Sequence, residues 1–249
     1  MNRNLAIGST LQSVTGSVLP VRRWMMIGVV AFAATVPAAA QNSELQQKFA
    51  AVKQSAAENQ QKLHQYQWME TTELVLKGEP KPAKQSLCRY GPDGTVQKTP
   101  VGPPPPPPSG GRLKRHVVEK KTEEMQEYMG DVKSLLSMYV PPDPQKMQQA
   151  YQAGKFSMNP AGGLMNLIFT DYAQPGDRMT LTFDTTAKKI RALHVDTYMG
   201  EAKDTVTLQV QMASLPDDTN YAQRTVLDAA AKKLQVTTTN SQYQKLGGA

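Results

Sequence analysis

The chain has 249 residues, with 28 Lys and Arg against 21 Asp and Glu, and it contains one cysteine. Basic and acidic residues are interleaved, as at 119–124, so the net charge of +7 forms no continuous cationic stripe for a nucleic-acid backbone. A single cysteine excludes an internal disulfide, and a chain of this length can form a hydrophobic core without one. Composition therefore indicates a globular protein that does not bind nucleic acid.

The first forty residues are typical of a cleavable export signal. Arg22 and Arg23 precede an apolar run over 24–36, and the run closes on the small residues of 37–40. A basic flank, an apolar stretch short for a permanent anchor and a small-residue end are the three parts of such a signal. We expect cleavage before Gln41, with an uncleaved anchor as the alternative. Cleavage leaves a net charge of +4, no transmembrane anchor, and a periplasmic or secreted protein.

An amphipathic helix is predicted directly after the signal, over residues 45–66, because its apolar positions recur at alternating steps of four and three. From Tyr66 the apolar period changes to two, which predicts a strand, and a second strand ends at Tyr90. The turn Gly91-Pro92-Asp93-Gly94 then predicts a hairpin, because proline suits the second turn position and glycine the left-handed one.

Glu70 and Cys88 stand out in these two strands. Glu70 interrupts the apolar side of the first strand and indicates a bulge or a solvated edge. Cys88 alternates with Leu87 and is expected to be a small apolar side chain in a strand. A redox role for Cys88 is the alternative, and it would require exposure and a lowered pKa.

A run of six prolines, 103–108, marks a proline-rich loop at 100–111. Such a run favours the polyproline II conformation and reaches about 19 Å, so we interpret it as a stiff surface spacer. A ligand for a proline-binding module is the alternative.

A second helical stretch is predicted over residues 113–139, with a broad apolar face and a kink at Gly130. Prolines at 141 and 142 end it. Asp143 and Pro144 then start a short helix that ends near Gly154, since Asp suits the cap and proline the first helical position.

Beyond Gly154 the pattern predicts one strand after another, joined by links of hairpin length. Short links require antiparallel neighbours, so the strands should form a meander. Residues 41–249 are therefore expected to form a single α+β domain. The predicted strands cover residues 164–172, 178–183, 189–198, 205–212, 221–227 and 234–239.

The sequence lacks the motifs of the common enzyme and metal sites. His64, His116 and His194 belong to no ligand-spaced pattern, and no nucleophile elbow or phosphate-binding loop is present. A pair of distant carboxylates, such as Asp171 with Asp177, stays open as an alternative. We expect no enzyme activity, no catalytic residue, no metal and no cofactor.

The order of these elements resembles that of the LolA/LolB-like lipoprotein carrier superfamily. The resemblance rests on the helix at 45–66 running into Tyr66-Gln67-Trp68, on the hairpin at 89–94, and on the late strands around Phe183 and Tyr198. It implies a strongly curved antiparallel sheet, an open half-barrel, covered by helices. In that superfamily the cavity between sheet and helices takes acyl chains.

We predict an exported binding or carrier protein for a lipid, a lipoprotein acyl chain or another apolar ligand, held by burial alone. The alternative is a non-catalytic structural or interaction protein of the cell envelope that engages a protein partner through its first helix and proline run. The expected lining residues of the cavity are Trp68, Met125, Met129, Leu136, Leu164, Phe183 and Met212.

Overall fold

The computed structural model describes residue 54, residues 56–103 and residues 112–247. The predicted signal, most of the proline run and the start of the predicted first helix lie outside these residues. The helices are α1 (residues 56–63), α2 (Arg112–Leu136) and α3 (Pro144–Gln152). The strands are β1 (Tyr66–Leu76), β2 (Glu79–Tyr90), β3 (Val96–Val101), β4 (Phe156–Ala161), β5 (Leu164–Thr170), β6 (Arg178–Asp184), β7 (Lys189–Tyr198), β8 (Thr205–Ser214), β9 (Asn220–Ala229) and β10 (Leu234–Lys245).

The ten strands of the described residues form one antiparallel sheet in the order β3-β2-β1-β10-β9-β8-β7-β6-β5-β4. Two meanders, β1 to β3 and β4 to β10, are joined by the pairing of β1 with β10. The sheet is open, with β3 and β4 at its edges, and the helices cover one of its faces. This is the predicted α+β fold, a curved half-barrel covered by helices.

The core lies between the covered face of the sheet and the two longer helices. In β7 the alternation is plain, since Leu193, Val195 and Thr197 are buried whereas their neighbours are half-buried. Val132 and Leu135 of α2 pack onto this face. Because strand side chains alternate between faces, the sequence pattern of each strand decides which of its residues join the core.

The predicted strands after Gly154 are all present, together with one more. Strand β4 has little alternation in its sequence and contains Pro160, which argues against a strand. It lies at the edge of the sheet and pairs only with β5. A proline at an edge removes no hydrogen bond from a second neighbour, so the structure accepts it there.

The predictions for the helix ends are met within a few residues. Helix α1 ends at residue 63, and α2 ends at Leu136 and runs through Gly130 as one helix. Asp143 caps α3, with its side chain accepting a hydrogen bond from the Gln145 backbone N–H at 2.8 Å, and Pro144 is the first residue of that helix.

The expectation that Glu70 marks a solvated edge is wrong, whereas irregularities of register do flank it in β1, between Gln67 and Met69 and between Thr72 and Leu74. Glu70 pairs regularly with Asn240 on one side and Ser86 on the other, and the side chain is buried. The physical reason is that β1 lies inside the sheet and that Lys98, from β3, neutralises the carboxylate.

Candidate functional site

A large cavity lies between the second half of α2 and the covered face of β8, β9 and β10. It has a volume of about 720 Å³, within the range of sites that bind small molecules. We call it the apolar groove. Its lining residues are Met129, Gly130, Val132, Lys133, Leu136, Ser137, Val140, Leu208, Val210, Ala222, Thr225, Leu227, Val236 and Thr238.

The floor of the apolar groove follows from strand register. Leu208, Leu227 and Val236 lie opposite one another on β8, β9 and β10 and form one row across the sheet. Val210, Thr225 and Thr238 form the next row in the same way. Residues that pair across antiparallel strands point to the same face, so six side chains face the helix together.

One side of α2 forms the wall of the apolar groove. Met129, Val132 and Leu136 recur at steps of three and four residues, so they lie on one side of α2. Val140 continues the wall beyond the helix and is 41% exposed. Lys133 is the one ionisable group of the lining and is exposed, so the interior offers aliphatic surface and a few hydroxyls.

The position of the wall is fixed by a buried hydrogen-bond cluster just past the end of α2. Asp177 is 2% exposed, and its carboxylate accepts bonds from the backbone N–H groups of Tyr172, Ala173 and Gln174. It also accepts the Tyr139 hydroxyl at 2.6 Å. Burial, followed by this bond, raises the pKa of Tyr139 well above its usual range.

The same contacts give the carboxylates of this loop a structural role. Asp177 is enclosed by its four donors, and Asp171 accepts the Gly176 backbone N–H at 2.6 Å. That bond, followed by Lys155, holds the pKa of Asp171 below its ordinary value. Asp177 ties the β5–β6 turn to Tyr139, and Asp171 closes the same turn through Gly176.

A smaller cavity of about 230 Å³ adjoins the apolar groove. Ala222 lines both, so the two spaces are neighbours on one face of the sheet. We call it the aromatic cavity. Its lining residues are Leu63, Trp68, Glu70, Tyr90, Val96, Lys98, Tyr221, Ala222, Asn240 and Tyr243.

Rings from neighbouring strands stand side by side along this cavity. Tyr243 contacts Tyr221 with ring centroids 4.4 Å apart and stacks on Trp68 at 5.5 Å. Tyr90 follows Trp68 at 5.4 Å and stacks on His64 at 4.4 Å. The Trp68 indole N–H donates to the Asn240 side-chain oxygen at 3.1 Å, which fixes the middle of the row.

Burial dominates the electrostatics of the aromatic cavity. It raises the pKa of Tyr90 and, together with the neighbouring phenols, the pKa of Tyr243. Cys88 lies opposite Trp68 on β2 and is fully buried, as predicted for a small apolar side chain. Burial, followed by the charge of Glu70, raises the pKa of its thiol, which disfavours the thiolate that redox chemistry needs.

Helix α1 is held over this end of the sheet by a reciprocal amide contact. The Asn59 side chain donates to the Asn220 carbonyl at 2.7 Å and accepts the Asn220 backbone N–H at 2.6 Å. Leu63, one turn later, lines the aromatic cavity. The helix therefore packs on the sheet of its own molecule.

The residues expected from the sequence to line a cavity are distributed over several places. Met129 and Leu136 line the apolar groove, and Trp68 lines the aromatic cavity. Met125 and Met212 pack against the core beside them, Met212 opposite Ala222.

The two remaining expected residues lie away from both cavities. Phe183 pairs with Met165 on the covered face, at the far end of β6. Leu164 precedes Met165 in β5, so its side chain points to the opposite face of the sheet.

The sequence alone did not identify several of the residues that line the two cavities. The row Leu208, Leu227 and Val236 and the tyrosines at 90, 221 and 243 come together only through strand pairing. Alternation in each strand could have placed them on a buried face, whereas no local pattern brings them to one cavity.

The described part of the chain contains no cluster of three or more His, Cys, Asp or Glu side chains arranged to hold a metal ion. Among residues 54, 56–103 and 112–247, none of the helices combines the length and hydropathy needed to traverse a lipid bilayer.

No known protein family and no curated protein matches the sequence. Three solved structures are similar. A DUF1329 family protein from Desulfovibrio piger has a TM-score of 0.38 at 7% identity, covering 82% of this chain and 94% of that one.

A LolA superfamily protein from Nitrosomonas europaea has a TM-score of 0.34 at 7% identity, covering 79% of this chain and 94% of that one. A putative outer membrane lipoprotein-sorting protein domain from Vibrio parahaemolyticus has a TM-score of 0.30 at 9% identity, covering 74% and 86%. Similarities of this size say nothing about the function of this chain.

Proposed function

We propose that this protein is a non-catalytic binding or carrier protein that holds an apolar ligand, such as the acyl chain of a lipid or lipoprotein, in the apolar groove. The single observation that supports this function is the groove itself, about 720 Å³ in volume and lined mainly by aliphatic side chains. Residues 1–40 have the features of an export signal, so the protein works in the periplasm or outside the cell in this proposal.

Burial alone is sufficient to retain such a ligand. Each methylene group transferred from water into the groove contributes about 0.8 kcal/mol, so a chain of several methylenes is held without a charged anchor. The backbone groups of the floor are already paired within the sheet, so an apolar ligand leaves none of them without a partner. Covering the threonine hydroxyls of the floor with an apolar chain costs less free energy than covering a charged group would. Met129 adapts to different chain shapes because its side chain is unbranched.

A substitution that fills the groove tests the proposal. Thr238→Phe places a ring on the floor of the groove, between Val236 and Asn240 on the same face of β10. We expect it to weaken the binding of a dansylated undecanoic acid at least tenfold, because losing about two buried methylenes costs more than 1.4 kcal/mol. Fluorescence titration of the purified chain measures the change.

Thr239→Phe is the matched control, because Thr239 is the next residue of β10 and points to the opposite face of the sheet. The control should bind the probe like the unchanged chain. Equal affinity of the two variants, or no binding by the unchanged chain, would contradict the proposed function.

A further inference from the structure

We propose that the aromatic cavity receives the polar head of the same ligand, and that this head is zwitterionic, with an ammonium group at Glu70 and an anionic oxygen at Lys98. The inference rests on the proposed function, since the chain of the ligand lies in the apolar groove. Ala222 borders both cavities, and Asn240 of the aromatic cavity lies two residues after Thr238 of the groove on β10, so the head and the chain of one ligand have neighbouring places to occupy.

The carboxylate of Glu70 is the first reason. Glu70 is 8% exposed, and a buried carboxylate is stable only beside a cation. Its partner Lys98, at 2.5 Å, has a side chain that is 51% exposed and stands on the edge strand β3. A long lysine side chain at an edge can turn to solvent at little cost, so a ligand ammonium can replace it at Glu70.

The phenols are the second reason. The hydroxyls of Tyr90, Tyr221 and Tyr243 make no hydrogen bond to any residue of 54, 56–103 and 112–247, and all three tyrosines line the cavity. A phenol accepts a hydrogen bond from an ammonium through its oxygen and donates one to an anionic oxygen through its O–H group. Three such groups beside a buried carboxylate suit a head that carries both charges.

Lys98 accounts for the anionic half of the head. Once an ammonium neutralises Glu70, Lys98 is free to pair with a phosphate oxygen, and its half-exposed position puts that oxygen at the mouth of the cavity. Val96, on the same edge strand, is 40% exposed and leaves this side open to solvent. An anionic head alone would meet the carboxylate of Glu70, and a neutral head would leave both charges unused.

Three amphiphiles with one chain and different heads test the inference: dodecylphosphoethanolamine, whose primary ammonium carries N–H donors, dodecyl phosphate and dodecanol. We measure their affinities for the purified full chain by titration below the concentration at which they form micelles. The expected order places dodecylphosphoethanolamine at least tenfold above the other two. Glu70→Gln should remove that advantage by about tenfold, the loss expected for one charge-assisted contact, and leave dodecanol unchanged.

Glu79→Gln is the matched control, because Glu79 forms an ion pair with Lys81 on the exposed part of β2, remote from both cavities. Thermal unfolding shows whether each variant folds. If Glu70→Gln does not fold, Tyr90→Phe, which keeps the ring, takes its place. Similar affinities for all three amphiphiles, or an unchanged preference in Glu70→Gln, overturn this inference and leave the proposed function standing. Binding of none of the three overturns both.

Discussion

The side chain of Asp177 connects three parts of the molecule. Its carboxylate accepts the Tyr139 hydroxyl from the segment after α2 and three backbone N–H groups from the turn after β5. Tyr139 also contacts the Thr197 hydroxyl of β7 at 2.8 Å. Because α2 forms the wall of the apolar groove, this buried carboxylate helps to hold the wall against the sheet.

Asp177→Asn tests that role. An amide keeps one acceptor oxygen and replaces the other with an NH2 group, so the donors that bonded to the replaced oxygen lose their acceptor. We expect the free energy of unfolding to fall by about 2–4 kcal/mol, as for breaking a buried charged contact. Urea denaturation measures the loss. Asp196→Asn, in which a half-exposed carboxylate loses its contact with His194, should cost less than about 1 kcal/mol.

Asp217 makes stability depend on pH. The Tyr66 hydroxyl donates to its carboxylate at 2.7 Å, and this bond, followed by the contact with Thr219, whose backbone N–H donates at 3.2 Å, holds the pKa of Asp217 well below its usual range. A carboxyl group with a lowered pKa in the folded state contributes stability that is complete above its unfolded pKa of about 3.9. That contribution is lost as the pH falls from there through the folded pKa.

Asp217→Asn should therefore destabilise the protein at about pH 7, with a difference from the unchanged chain that narrows steadily below about pH 4. Urea denaturation at a series of pH values measures this difference. A difference that stays constant down to about pH 3 would show that the charge of Asp217 does not stabilise the fold.

Helix α2 has a glycine in its interior, on the side that lines the apolar groove. Met129, Val132 and Leu136 face the sheet, and Gly130 lies among them within a continuous helix. A methyl group built on Gly130 meets nothing within 4 Å. Glycine in a helix interior costs stability because its unfolded chain has more freedom to lose.

Gly130→Ala is expected to raise the free energy of unfolding by about 0.5–1 kcal/mol, since it adds no clash and reduces that freedom. Gly154→Ala is the comparison with the opposite sign. Gly154 follows the end of α3 with φ of +70°, a left-handed conformation that costs other residues about 1–2 kcal/mol. Thermal melting of both variants measures these opposite changes in stability. A loss of stability in Gly130→Ala would contradict the expectation.

The elements differed in how well their sequences predicted them. The bounds of β7 were predicted correctly because its residues alternate over ten positions. The face of Leu164 in β5 was not predictable, because Leu164, Met165, Leu167 and Ile168 put apolar side chains on both faces of that strand. Alternation assigns a face only where the two faces differ in polarity.

At the scale of the whole molecule, both cavities depend on contacts that no local pattern contains. The pairing of β1 with β10 brings Trp68 to Tyr243 and Glu70 to Asn240 from opposite ends of the described chain. The pairing of β8, β9 and β10 builds the floor of the apolar groove. The sequence could predict the fold class, the meander and the apolar face of α2, whereas the residues that meet across strands required the register.

Native mass spectrometry shows directly whether the apolar groove holds a lipid-like ligand. Residues 1–249 would be expressed and purified without detergent, and the bound material extracted. We expect a discrete added mass that extracts as lipid, or that appears when phospholipid is added. A bare protein mass in both cases would show that the groove holds no such ligand.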